Sequence, residues 1–369
     1  MGTDAQPIRV ALLGYGFAGK TFHAPLIGAT EGLDIVAVAS RDPAKVHADL
    51  PDVDVVSDAR QAIDDPRVEL VVVATPNDTH AALASAALHA GKHVVVDKPF
   101  ALDLAEARQL VLLATRCNRT LSVFQNRRWD SDFLGIKAAI EDGLAGNVTH
   151  FESHFDRFRP VPRDRWRERA GAGGGVWYDL GPHLIDQALL LFGLPERIQA
   201  NLAIQRTGAR VDDWAHVVLE YESRRVILHA SMLVAGGGAR FTVHGDRGSL
   251  VKQGADRQEA QLLAGMTPGA PGWGEDSDPM IFYSGDGQAS HYRAPAGDQR
   301  AYYAQLRDAL KQTGANPVSP QQAVTVMAVL AAAIESSARA CAISLSLSAE
   351  ESASWPAPPL SNGSRPLRR

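Results

Sequence analysis

Several features that mark particular protein classes are scarce in this sequence of 369 residues. It has two cysteines, Cys117 and Cys341, which lie far apart, so we expect no disulfide framework. The first ten residues lack the apolar core of a secretion signal, and the longest apolar runs, such as Val326–Ile334, are too short to span a bilayer. These absences favour a cytoplasmic protein with no membrane partner.

Neither sign of charge dominates the chain. The net charge is −5 and the isoelectric point is about 6.2, which gives no general attraction to nucleic acid or to anionic lipid. Arginine and tryptophan mix between Arg127 and Arg167, but aspartate and glutamate dilute that stretch. We therefore expect no nucleic-acid partner, and interpret the stretch as a salt-bridged face or a pocket for sugar hydroxyls.

A glycine-rich turn lies near the start of the chain. Ile8–Leu13 predicts a buried strand, and Gly14–Gly19 follows it directly as GxGxxG before a helical stretch. The glycines allow a tight turn and a close backbone approach to a pyrophosphate, while the helix amino terminus supplies N–H donors. A second buried strand, Leu33–Ala39, completes a βαβ unit. This arrangement predicts a dinucleotide-binding domain.

The residues after that second strand bear on the choice of cofactor. An NAD enzyme usually places an acidic residue there for the ribose 2′-hydroxyl, whereas this chain has Ser40 and Arg41. A hydroxyl beside a guanidinium can bind a 2′-phosphate, which favours NADP(H), with NAD(H) as the alternative. The competing interpretation is structural, because Ser40 or Asp42 could cap the next helix.

The alternation of strands and helices continues to about residue 125. Thr75–His80 follows one buried strand, and Lys98 follows the strand His93–Val96. In an open parallel sheet the ligand binds beyond the carboxyl ends of the strands, so Lys98 would face the bound cofactor. Six strands with intervening helices predict an α/β, doubly wound Rossmann domain over residues 1–125.

The second half of the chain has a different style. Longer strands joined by turns predict an α+β domain over residues 126–347, with a large, mostly antiparallel sheet. The Gly- and Pro-rich stretch 267–297 predicts a long loop or an insertion, and 348–369 predicts a disordered tail. The hydrophobic content of 45% suffices for two such cores.

A glycine-rich segment in this half leads into a helix. We predict that the helix starts near Asp179, tolerates Pro182 in its first turn and ends at Gly193. Asp179 and His183 are four residues apart and share one face, as a carboxylate that orients a general acid or base would. The alternative is that Asp179 caps the helix and His183 is a core histidine.

Alternating polar residues mark a strand near the start of the second half. His150, Glu152, His154 and Asp156 share one face and could hold a metal ion. Such a face is more often simply polar or lines a ligand cavity. We therefore predict no metal site.

In their order, GxGxxG, TPNxxH, HVVVDKP and DLGPHLIDQ resemble the glucose–fructose oxidoreductase/inositol dehydrogenase/rhizopine-catabolism (Gfo/Idh/MocA) family, from about Ile8 to Leu347. Within that family, the surrounding segments look like the branch containing NADP-dependent scyllo-inositol dehydrogenase. The family usually has Glu-Lys-Pro where this chain has Asp97-Lys98-Pro99. The shorter acid could alter the environment of the lysine.

The resemblance implies roles for individual residues. The catalytic lysine, aspartate and histidine of the family correspond to Lys98, Asp179 and His183. The resemblance also implies that the domain over residues 126–347 binds substrate and forms a homo-oligomer, a dimer or a tetramer, through its sheet. Besides Lys98, the implied cofactor contacts are Gly14, Tyr15, Gly16, Phe17, Ala18, Ser40, Arg41, Thr75, Asn77 and His80.

With the dinucleotide motif, the resemblance implies an oxidoreductase that transfers a hydride between NADP(H) and a polyol or its ketone, with an inositol or a sugar as the polyhydroxylated substrate. His183 would take the hydroxyl proton, and the Lys98 ammonium would stabilise the same oxygen. Tyr178, Arg127 and Arg159 are expected to contact substrate hydroxyls. Alternatives are an aldose, anhydrosugar or other sugar-derivative dehydrogenase, a non-catalytic NADP(H)-sensing regulator, and a redox-neutral glycosidase that borrows the nicotinamide.

Overall fold

The computed structural model describes residues 6–355, which form two compact units. The first unit contains the described residues up to Asn126 together with Gln258–Trp273 and Asp298–Val324. The second contains Arg127–Arg257, Gly274–Gly297 and the described residues from Thr325 onward. Within residues 6–355, no helix is both long enough and apolar enough to cross a bilayer.

The first unit is organised around a parallel sheet of six strands. Their order is β3-β2-β1-β4-β5-β6, which is that of a doubly wound dinucleotide-binding fold. Valines of β4 and β5 are fully buried because helices cover both faces of such a sheet. The predicted Rossmann fold is confirmed. The strands are β1 (Ile8–Leu13), β2 (Leu33–Ala39), β3 (Asp54–Val56), β4 (Leu70–Val73), β5 (His93–Val96) and β6 (Leu121–Val123).

The second unit contains a sheet of eight strands in the order β14-β13-β12-β11-β7-β10-β9-β8. Its neighbouring strands are antiparallel except for the parallel pair β7 and β10. The predicted α+β class with a mostly antiparallel sheet is therefore confirmed. The strands are β7 (Val148–Asp156), β8 (Arg197–Ala203), β9 (Trp214–Glu220), β10 (Arg225–Ser231), β11 (Phe241–Gly245), β12 (Gly248–Lys252), β13 (Met280–Ser284) and β14 (Ala289–Tyr292).

The helices connect and cover these sheets, and α7 packs against β7, β9 and β10. A π-helical turn at Gly19–His23 precedes the first of them, and short 3₁₀ turns lie at Asn77–Thr79, Asn126–Trp129 and Trp166–Glu168. The α-helices are α1 (Ala24–Gly28), α2 (Pro43–His47), α3 (Ala59–Asp64), α4 (His80–His89), α5 (Leu104–Arg116), α6 (Ser131–Glu141), α7 (Val176–Phe192), α8 (Gln258–Leu263), α9 (Arg300–Leu310), α10 (Pro320–Arg339) and α11 (Ala349–Ala353).

Helix α9 belongs to the first unit, although the sequence analysis places its residues in the second domain. Its residues Tyr302 and Tyr303 are fully buried. Tyr302 donates its hydroxyl to Ser122 Oγ at 2.9 Å, and the hydroxyl of Tyr303 lies 2.6 Å from His23 Nδ1. The chain thus returns to complete the first core, because these rings are buried beside β6 and the turn after β1.

Of the two alternatives for 267–297, a long loop or an insertion, the long loop is wrong for the central part of the stretch. Met280–Ser284 pairs with β12, and Ala289–Tyr292 pairs in turn with β13. The glycines and prolines of this stretch therefore flank a hairpin at the edge of the sheet.

The prediction of a disordered tail over 348–369 is also wrong for its first residues. Ser348 and Glu351 form a reciprocal capping box at the start of α11. Trp355 is only 4% exposed, and the Arg128 guanidinium lies 5.6 Å above its ring. This segment is ordered because it buries an aromatic ring. Residues 356–369 lie outside the described range.

Candidate active site

The glycine loop after β1 is packed tightly against the protein at Gly14 and Gly19, whereas Gly16 has open space around it. A Cβ on Gly14, whose φ is +96°, would lie 2.8 Å from the carbonyl oxygen of Ala74, and a Cβ on Gly19 would collide with the carbonyl oxygen of Gly14. By contrast, a Cβ on Gly16 would meet nothing within 4 Å. The loop thus leaves its backbone open at Gly16, as a pyrophosphate-binding turn requires. The residues present fit a dinucleotide.

The side chains of this loop differ in their availability. Tyr15 is buried, and its hydroxyl donates to Asp49 at 3.0 Å. Burial, followed by the hydrogen bond and charge of Asp49, raises the pKa of Tyr15 above its ordinary range. Phe17 is 54% exposed. The Tyr15 side chain is thus engaged within the protein, and its main-chain carbonyl accepts a hydrogen bond from Lys45 Nζ at 2.9 Å.

At the end of β2, the residue that caps the next helix is not one of the two residues proposed to bind the 2′-phosphate. Asp42 caps α2 by accepting the N–H of Lys45 at 3.0 Å. Ser40 Oγ accepts the N–H of Asp42 at 3.2 Å. Arg41 is exposed and makes no ion pair with any residue in the described range. The helix therefore has its cap in Asp42, and the Arg41 guanidinium is accessible to an anion.

The TPNxxH segment after β4 is fixed by its histidine. His80 is 1% exposed, and its ring nitrogens lie 2.8 Å from the carbonyl oxygen of Pro99 and 3.0 Å from that of Thr75. Carbonyl oxygens only accept, so the ring nitrogen that carries a proton donates to the carbonyl it faces. Asn77 is also buried, and Thr75 bonds Thr79 through their hydroxyls at 2.6 Å. The His80 ring thus ties the loop after β4 to the loop that carries Lys98.

Lys98 is half-buried and lies two residues after the end of β5. The carboxylate of Asp97, which precedes it, is buried and lies 4.0 Å from His23 Nε2. Burial raises the pKa of Asp97, but the nearby His23 and the charges of Lys98 and His80 lower it overall to about 2. An ionised carboxylate therefore backs the lysine, even though the chain has aspartate where the family usually has glutamate.

Helix α7 starts at Val176, so the predicted start near Asp179 is wrong and Pro182 lies beyond the first turn. The reason is a cap from a distant segment. The N–H groups of Val176 and Trp177 both donate to Asp212 at 2.8 Å, through its main-chain and side-chain oxygens respectively. Gly175 permits this close contact because a Cβ there would collide with the Asp212 carboxylate. The predicted end of the helix at Gly193 agrees with the structure.

The predicted residues of α7 lie at its first two turns. Tyr178 and Asp179 are half-buried, and His183 is 4% exposed. Asp179 pairs with Arg167 at 3.3 Å and lines a cleft in the second unit with Arg167 and Asp212. The sequence motifs did not single out that pairing, because Arg167 lies in an irregular segment without periodicity.

The two arginines predicted to contact substrate differ in their surroundings. Arg127 is held within the second unit by Asp130 at 3.0 Å and by the ring of Phe155. Arg159 is half-buried near Asp179. Burial lowers the pKa of Arg159, and three neighbouring arginine charges lower it further, whereas Asp179 raises it. Arg159 is thus better placed than Arg127 to meet a ligand near Asp179.

Family models for an oxidoreductase family match the chain twice. The NAD-binding Rossmann fold matches residues 8–125, and the C-terminal alpha/beta domain matches residues 137–344. The chain belongs to the Gfo/Idh/MocA oxidoreductase family. The family predicted from the four motifs is therefore confirmed.

Individual members of the Gfo/Idh/MocA family match nearly the whole chain. YdgJ of Escherichia coli (strain K12), an uncharacterized oxidoreductase, is 52% identical over 332 residues, which cover 89% of this chain and 96% of YdgJ. The scyllo-inositol 2-dehydrogenase (NADP(+)) IolW of Bacillus subtilis (strain 168) is 36% identical over 337 residues, covering 89% and 94%. The crystal structure of a Klebsiella pneumoniae protein matches with a TM-score of 0.90 and 57% identity, covering 95% and 98%.

Within this Gfo/Idh/MocA oxidoreductase, two residues that support the candidate site are not predicted from the sequence. His23 lies behind Asp97, and Asp212 caps α7. Both act across long sequence separations, which local sequence patterns do not show. The first unit holds the cofactor loop and Lys98, and the second holds Asp179 and His183.

Proposed function

We propose that the protein is an NADP(H)-dependent dehydrogenase of polyols, with an inositol of the scyllo type or a sugar as its substrate. One observation carries the proposal: Lys98 lies two residues after the end of β5, in the same unit as a glycine loop whose backbone is open at Gly16. The similarity to IolW, which acts on scyllo-inositol with NADP(+), supports the substrate class and the cofactor.

The chemistry divides among three side chains of this chain. When bound, the nicotinamide ring supplies or accepts the hydride. His183 takes the proton of the substrate hydroxyl as negative charge grows on its oxygen, and the Lys98 ammonium stabilises that charge. Asp179 favours the protonated imidazole, while Arg167 holds the carboxylate in place. Ketone reduction uses the same groups in reverse.

The preference for NADP(H) rests on the end of β2. Arg41 is exposed there, and no acidic residue occupies the position where an NAD enzyme binds the 2′-hydroxyl. We expect Arg41→Ala to weaken NADP(H) binding about tenfold or more and to leave NAD(H) binding unchanged, since charged hydrogen bonds contribute about 1.5–3 kcal/mol. Arg60→Ala is the matched control, because Arg60 is an exposed arginine of α3 in the same unit.

The test follows the absorbance of reduced nicotinamide with NADP⁺ or NAD⁺ against a panel of inositols and sugars. We expect turnover with NADP⁺, and a fall of about 10²–10⁴-fold in kcat for His183→Ala, with NADPH binding retained, and for Lys98→Ala. His89→Ala, an exposed histidine of α4, is the control. Near-normal turnover in His183→Ala contradicts the assignment.

The same panel separates the main alternatives. A regulator that senses the cofactor would bind NADPH but convert no substrate. A sugar-derivative dehydrogenase would convert aldoses or anhydrosugars in preference to inositols. A redox-neutral glycosidase would cleave its substrate without net conversion of free NADP⁺.

A further inference from the structure

The two faces of the second sheet differ in chemistry around β7. Phe151, Ser153 and Phe155 alternate along one face and are buried. His154 and Asp156 point to the opposite face, where β10 brings His229 directly beside His154 in the parallel register. This arrangement joins residues that are 75 positions apart in the sequence, which is why the periodicity of β7 alone does not reveal the complete group.

The three side chains converge on a small volume. His154 Nδ1 lies 3.4 Å from Asp156 Oδ2, and His229 Nε2 lies 3.6 Å from Asp156 Oδ1. One ligand atom from each of the three residues lies within 4.8 Å of the others. Two ligand atoms at about 2.1 Å from a tetrahedral ion are about 3.4 Å apart, so these separations suit a shared metal ion.

Asp156 provides the independent reason to place an ion here. Its side chain is only 7% exposed, and its Oδ1 atom is buried without a hydrogen-bond partner among the residues in the described range. Burying a carboxylate oxygen without a hydrogen-bond partner costs free energy, unless a hydrogen-bond donor or a cation binds that oxygen. His229 Nε2 faces that oxygen from just beyond hydrogen-bond range, which leaves room for an ion between them.

We propose that His154, Asp156 and His229 bind a divalent zinc ion. Two imidazole nitrogens and one carboxylate oxygen form a ligand set that zinc uses, with water completing the coordination. The ion would link β7 to β10, the parallel pair of this sheet. The site lies entirely in the second unit and is separate from the residues proposed for hydride transfer.

Glu152 does not bind the proposed ion but orients His154, which does. Its Oε2 atom lies 2.8 Å from His154 Nε2, so Nδ1 of the same ring is turned toward Asp156. Metal-binding histidines usually donate their second N–H to such a carboxylate, which orients the ring. Glu152 is itself held by His150 Nε2 at 2.7 Å.

The experiment titrates the full chain with Co²⁺, followed by its visible d–d absorption, and then displaces the Co²⁺ with Zn²⁺. We expect one Co²⁺ per chain and complete displacement. Asp156→Asn and His229→Ala should each lower the affinity for Co²⁺ at least tenfold, and Glu152→Gln should lower it about 10–100-fold. His244→Ala is the matched control, because this histidine of β11 is bonded to Ser249 outside the group.

Two results would overturn the proposal. One is the absence of stoichiometric Co²⁺ binding by the wild-type chain. The other is undiminished binding in both Asp156→Asn and His229→Ala when thermal unfolding shows that the variants are folded. If either variant fails to fold, the Glu152→Gln titration and the wild-type displacement decide the question.

Discussion

The carboxylate of Asp97 accepts the main-chain N–H of Lys98 at 2.8 Å. The same carboxylate is buried, and His23 lies behind it at 4.0 Å. The strand β5 thus ends in a fixed negative charge, immediately before the cation proposed to stabilise the reacting oxygen. Protonation of the Asp97 carboxylate would therefore affect both the stability of the fold and the loop that carries Lys98.

We expect Asp97→Asn to change how stability depends on pH. The pKa of Asp97 in the folded chain is lowered from 3.8 to about 2. Its ionised form therefore contributes about 2 kcal/mol to the free energy of unfolding above about pH 5, and this contribution is lost as the pH falls from about 4 to 2. Urea unfolding at pH 7, 4 and 3 should show the difference between wild type and variant shrinking with acidity. A constant difference contradicts the prediction.

The glycine loop offers a pair of matched substitutions. Gly14→Ala forces a Cβ against the carbonyl of Ala74 at a positive φ, so we expect a loss of about 1–3 kcal/mol in stability. Gly16→Ala meets no protein atom, so stability should change by less than about 0.5 kcal/mol while the affinity for NADPH falls at least tenfold. Thermal unfolding and NADPH fluorescence titration measure the two effects. Unchanged NADPH affinity in Gly16→Ala would show that the cofactor does not approach there.

His80 is predicted to act by positioning Lys98. Its ring binds the carbonyl of Pro99, so His80→Ala should lower kcat by about 10²-fold, the scale expected for a misplaced catalytic group. In a Lys98→Ala background the same change should cost much less, because both substitutions remove one function. His89→Ala, on the exposed side of α4, is the control. If His80 instead binds the cofactor directly, the KM for NADP⁺ will rise in both backgrounds.

The local parts of this fold could be predicted because each is determined by a few adjacent residues. Valine-rich strands, the glycine turn and the lysine after β5 carry their own signals of burial and turn geometry. The alternation of such segments then implies the parallel sheet. Those patterns placed Gly14, Lys98 and Asp179 in the expected kinds of element, although they do not test the roles proposed for them.

Long-range partners could not be predicted in this way. Nothing near Val176 indicates that Asp212 accepts the first N–H groups of α7, so local patterns predict a start for α7 that is three residues too late. Nothing near His154 indicates that β10 delivers His229 beside it. Tertiary packing supplied these contacts, and tertiary packing overrides local signals at the ends of elements.

The segment that begins at Ser348 is ordered, whereas the sequence predicts disorder there, so the packing of Trp355 can be tested directly. Trp355 is 4% exposed, so Trp355→Ala should lower the free energy of unfolding by about 3–5 kcal/mol, the usual cost of emptying a buried aromatic site. Phe158→Ala removes an aromatic ring of the same unit that is 59% exposed, and should cost less than about 0.5 kcal/mol. Urea unfolding of the two variants measures both values. Equal effects would mean that Trp355 does not pack against the second unit in solution.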